Sequence, residues 1–147
     1  MEFEEALRKA SGFMEKYKGY FLCSVFSSIK NVNGKPSDCT GEWILHFSDK
    51  RKSLDCHITD DTIRVDDAQS LGEPVELDVS SVSISPDKAI GSTGFVLKKA
   101  VTILVSLHSS PPVWTINFIK AGMTVTTFDV DAETGKITRE ETTSILR

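Results

Sequence analysis

The residues best placed to do chemistry lie within one short stretch. His46, Asp55 and His57 occupy two alternating segments on either side of the charged Asp49-Lys50-Arg51-Lys52. With a hairpin turn at those charged residues, His46 lies across from Asp55 and His57 is a diagonal neighbour. An Asp-His pair can act as a general base, and two histidines with one aspartate can hold a metal ion. The plainer alternative is a solvated strand face beside a charged hairpin. Asn117, which takes the place of His46 when the two halves of the chain are aligned, favours that alternative.

The other reactive residue types give weaker signals. Cys23, Cys39 and Cys56 are an odd number of cysteines at wide spacing, with no C-x-x-C pair. That is not the disulfide framework of small secreted domains, and it fits a reducing compartment. Cys39, Cys56 and His57 match no compact zinc spacing. Cys23 and Cys56 fall on an inward strand pattern and are expected to be small buried apolar residues. Cys39, in a polar loop, is the thiol expected to be exposed and reactive, and His108, ahead of Pro111-Pro112, is expected on the surface.

Asp129, Asp131, Glu133 and Glu140 have the spacing of calcium-loop ligands, but Gly135 comes one place too late for the required turn and the flanks read as strands. An ordinary hairpin is the expectation there. Gly91-Ser92-Thr93-Gly94 lacks the following lysine of a phosphate loop, and there is no G-x-S-x-G or dinucleotide fingerprint. Neither a catalytic residue nor a cofactor is expected.

These residues must be positioned by elements that the periodicity outlines. Phe3, Ala6, Leu7, Ala10, Phe13, Met14 and Tyr17 recur in steps of three and four, which predicts an amphipathic helix stopped near Gly19. From Tyr20 the period becomes two. Phe21, Cys23, Val25 and Ile29 are expected on one face of a strand, with Tyr20, Leu22 and Phe26 on the other. Trp43, Leu45 and Phe47, then Leu54, Cys56 and Ile58, predict two further inward-facing strands, followed by a short one over 62–65.

The stretch 66–74 is poor in apolar residues and holds Gly72 and Pro74, which makes it the best boundary. Units over 1–66 and 75–147, with a 67–74 linker, are therefore expected, packed together as one body. Strands are expected over 75–79 and 82–84. Ser85-Pro86-Asp87 then opens a helix running towards Ala100 and weakened by Gly91 and Gly94. Strands follow over 101–108, 113–119, 124–130 and 136–140.

The halves can be superposed through Trp43-Ile44-Leu45-His46-Phe47 and Trp114-Thr115-Ile116-Asn117-Phe118. The expected fold is α+β: two α-β-β-β units, each with a helix laid on a curled antiparallel sheet. In the second half, Val82-Ser83-Ile84-Ser85-Pro86-Asp87-Lys88-Ala89-Ile90 resembles the strand-to-helix entry of PepSY domains. The segment Phe128-Asp129-Val130-Asp131-Ala132-Glu133-Thr134-Gly135-Lys136-Ile137 resembles that family's closing hairpin. The resemblance spans about residues 75–140 and implies a PepSY-like or cystatin-like fold. It also implies a role in modulating peptidases.

Composition narrows the classes of function. The 147 residues are 39% apolar and 26% charged, with a net charge of −4, so an ordinary globular protein is expected and no broad basic surface for nucleic acid. No apolar run is long enough to span a bilayer, so membrane insertion is not expected. Acidic Glu2, Glu4 and Glu5 stand where a signal peptide carries positive charge. A cytoplasmic protein is expected from this start, and an exported one if an export signal has been removed.

The reading that fits is a non-enzymatic protein-binding or regulatory module, using Tyr20, Leu22 and Phe26 as an apolar strand face. Its partner is then another protein, a peptide or a second copy. One alternative is a small acidic chaperone acting as a homodimer through Tyr20 or Phe26. Another is a small metal protein or enzyme using His46, Asp55 and His57.

Overall fold

The computed structural model describes residues 2–32, 35–36, 42–69, 72–95, 101–109, 111–120 and 124–144. Cys39 lies outside them, as do Val96, Leu97 and Ala100 of the expected second helix.

Helix α1 (Phe3–Met14) buries Phe3, Ala6, Ala10 and Met14, the stripe that the three-and-four spacing requires. Glu4 and Glu5 in its first turn complement the positive end of the helix dipole. Among the described residues nine strands follow: β1 (Phe21–Val32), β2 (Lys35–Pro36), β3 (Trp43–Ser48), β4 (Ser53–Ile58), β5 (Ile63–Ala68), β6 (Val101–His108), β7 (Val113–Lys120), β8 (Thr124–Asp131) and β9 (Ile137–Ser144). Between β5 and β6 lies a short helix, α2 (Pro86–Ser92), capped by the Ser85 hydroxyl, which accepts from the Lys88 amide.

The expectation of two α-β-β-β units is corrected. The strands form one antiparallel sheet in the order β5-β4-β3-β1-β6-β7-β8-β9, with β2 paired to β1. At its centre β1 and β6 are hydrogen-bonded from Ser24↔His108 to Lys30↔Thr102. An unpaired β1 or β6 would present a row of backbone donors and acceptors as an open edge, and their pairing removes both edges. The described residues therefore form a broad sheet with two short helices rather than a pair of helix-plus-sheet repeats.

The helical share is smaller than expected because α2 stops at Ser92. Thr93 turns its hydroxyl back onto the Ile90 carbonyl, and Gly94 takes φ of +65°. The strands expected over 75–79 and 82–84 are also replaced. Asp78 accepts from the Ser80 amide and from the Ser80 and Ser81 hydroxyls, which winds Val79–Ser81 into a 3-10 turn.

The helices cover one side of the sheet. Trp43 and Trp114, both fully buried, flank Phe3 with ring centroids 5.4 and 5.1 Å from it. The Trp114 indole donates to the Ile84 carbonyl at 2.8 Å, tying the segment before α2 to β7. Phe95 stacks on Phe118 at 4.1 Å. Among the described residues no helix is long and apolar enough to cross a membrane.

Candidate functional site

The opposite face of the sheet is not sealed. Along β7 and β8 buried side chains alternate with half-buried ones, so only the helix-facing side is closed. Phe26, in the central strand β1, projects to the open side and is 39% exposed. It lies opposite Ile44 of β3 on one flank and Ser106 of β6 on the other.

The three residues expected to form one apolar strand face are not on one face. The register of β1 against β3 shifts between Leu22 and Ser24, a bulge that changes which side successive residues occupy. Leu22 thereby lies opposite the buried Phe47 and packs with Tyr20 against the core, while Phe26 remains outside. The same shift moves Cys23 from the expected core to the open side. Partial burial there raises the pKa of its thiol, and the nearby charge of Glu76 adds to this.

A groove of about 730 Å³ opens on this face. Cys23, Phe26 and Ile44 line its floor, and His46 and Asp55 one flank. Asp67 and Ser53 lie towards the β5 side, and Gly72 to Val75 contribute a further stretch of lining. His108 and Ser109 border it at the end of β6. The chain segment leaving Val75 is anchored by the Leu77 amide, which donates to the Leu22 carbonyl at 2.7 Å, and by the Ser109 hydroxyl on the Glu76 carbonyl.

His46 and Asp55 are directly opposite each other in the β3–β4 hairpin, with His46 Nδ1 2.7 Å from Asp55 Oδ1. His57 does not join them. Its Nδ1 lies 2.9 Å from Glu42 and its Nε2 3.4 Å from Asp66, which in turn accepts from Arg64. Both of its ring nitrogens face carboxylates of their own, so His57 is not directed at a metal shared with His46 and Asp55. Among the described residues no group of three His, Cys, Asp or Glu side chains is arranged to hold an ion.

Cys56 is fully buried in β4, and burial pushes its thiol up to about 11, far from the thiolate that zinc takes. The calcium-like run forms the β8–β9 hairpin. Asp131 accepts from the Glu133 and Thr134 amides, and Gly135 takes φ of +81°. Asp129 is held instead by Arg139, and Glu140 lies opposite Phe128 on β9.

A polar chain across the second half of the open face was not foreseen. His108 Nε2 is 2.8 Å from the Thr115 hydroxyl, which donates to Asp129 at 2.7 Å. Asp129 also accepts from Arg139, which reaches on to Glu141. Thr115 spends its one proton on Asp129, so it accepts from His108 Nε2–H. The histidine is therefore a donor to this hydroxyl and not a base that could activate it. Partial burial works to raise the Asp129 pKa, but the hydrogen bonds and charges of Arg139, Thr115 and His108 outweigh it and hold the carboxyl below its usual range. Strand alternation carries the signal: Thr115 and Asp129 are out of phase with the buried Trp114, Ile116, Phe128 and Val130.

No family model and no curated protein matches this sequence. Among solved structures, the chain is similar to one described as a putative lipoprotein from Clostridium difficile 630. The TM-score is 0.67 at 14% identity, covering 97% of this chain and 93% of that one. At that identity the likeness concerns the fold alone.

Proposed function

We propose that this chain is a non-enzymatic binding module that receives another protein on the uncovered face of its sheet. The observation that carries this reading is Phe26, a large apolar side chain 39% exposed at the centre of that face. Ile44 beside it lines the same groove. Exposed apolar residues scattered singly need no explanation, but an apolar floor in a groove is the usual character of an interaction site. His46 in the groove is paired with Asp55, and His57 outside it with Glu42, in two separate groups, which supports binding more than catalysis.

The test uses the intact chain and a Phe26→Ser, Ile44→Ser variant as baits for capture from the source organism. A defined protein retained by the first and lost from the second supports the reading, provided that the variant keeps its circular dichroism spectrum. Equal capture by both baits overturns it. If the retained protein is a peptidase, the modulating role implied by the PepSY resemblance gains its support from that result.

A further inference from the structure

The groove has a chemical bias that the apolar floor alone does not explain. Asp55 and Glu73 line it, and among its described lining residues there is no Lys or Arg; Asp67 reaches its border but lies opposite the buried Leu54, which turns its carboxylate towards the helix side. Asp55 is engaged by His46, whereas among the described residues Glu73 has no ion-pair partner. Glu76 adds a further negative charge beside Cys23. Elsewhere on the open face, the carboxylate of Asp129 is matched by Arg139.

The shape is that of a cleft across strands. Its lining comes from β5, β4, β3, β1 and β6 in turn, five adjacent strands of the sheet. At about 4.8 Å between neighbours this is roughly 19 Å, the length of about six residues of extended chain. A small ion does not need such a length.

We propose that the groove takes an extended cationic segment of another protein, with an apolar side chain over Phe26 and Ile44 and Lys or Arg facing Glu73 and, on the border, Glu76. This deepens the binding-module reading and rests on it. Val75, 52% exposed on the groove's border, gives the apolar side chain a second wall. The carboxylates supply selection by charge, since each exposed pair contributes little affinity but a wrong-sign partner is repelled.

The experiment measures binding of fluorescein-labelled peptides to the full chain by polarisation. One peptide alternates Lys and Leu, a second has Ser for every Lys, and a third has Glu. The first is expected to bind most tightly, with an affinity that falls as salt rises, and the third not at all. Glu73→Gln with Glu76→Gln should weaken the first by about fivefold and leave the second unchanged, whereas Phe26→Ser should weaken both.

Equal binding of the Lys and Ser peptides, insensitive to the charge substitutions yet lost with Phe26→Ser, overturns the cationic specificity and leaves open-face binding standing. Absence of binding by every peptide, or binding that none of the substitutions changes, also overturns the proposal. The binding-module reading is then decided separately by the capture experiment.

Discussion

Leu22 and Val25, three residues apart in β1, lie on the same side of the sheet because the pairing with β3 shifts between Leu22 and Ser24. Their cross-strand partners, Phe47 and Leu45, are both buried. That one-residue irregularity separates the two apolar residues of β1 that simple alternation groups together: Leu22 belongs to the core and Phe26 to the open face.

Substitution should separate their roles. Leu22→Ser removes apolar contacts with the core and is expected to cost about 1–2 kcal/mol, seen as a lower urea midpoint at unchanged slope. Phe26→Ser, on the uncovered face, is expected to cost less than about 1 kcal/mol. Equal losses at the two positions would mean that the bulge is misplaced.

The hairpin of β3 and β4 was legible because two alternating runs flank four charged residues, which fixes the loop and so the register. His46 opposite Asp55 follows from that count. The bulge was not legible. Cys23, which sits at the shift, is small and weakly apolar and fits either side equally well. Nor was the joining of β1 to β6, separated by some 75 residues, because two strands with the same alternation look alike whether they end separate sheets or meet in one. The burial of Trp43, Leu45 and Phe47 was readable, since bulky apolar residues at period two have one place to go. The polar chain from His108 to Arg139 needed the mutual alignment of four strands, which no local pattern supplies.

Trp114 carries a polar duty as well as bulk. Trp114→Phe leaves the Ile84 carbonyl without the indole donor and is expected to lower stability by about 1–3 kcal/mol. Truncation to Ala is expected to cost roughly 3–5 kcal/mol. Thermal and denaturant unfolding of the two variants measure both.

The buried Cys56 thiol should make stability fall in alkali. Its pKa is raised by burial from the ordinary 9.0 to about 11, so the unfolded chain loses this proton first. The stabilisation is whole below pH about 9 and is lost as pH rises to about 11. Cys56→Ala should flatten that part of the stability profile. Below pH 9 the native thiol should also resist alkylation that modifies it rapidly in denaturant.

Asp129 works in the opposite direction. Its carboxyl is held below the usual range, so it stabilises the fold above the ordinary carboxylate pKa, and that contribution is lost as pH falls through the depressed value. Arg139→Ala should move the Asp129 pKa up towards the usual range in a carbon-detected NMR titration. It should also speed amide exchange in the edge strand β9.

Hydrogen exchange of the chain alone and in complex with its captured protein partner tests the binding surface most directly. The expected result is new protection in β1, β3 and β4 around Phe26, Ile44 and Asp55, with α1 and α2 unchanged. Protection confined to the helices or to β9, with the strands around Phe26 unaltered, would contradict the assignment of the open sheet face as the binding surface.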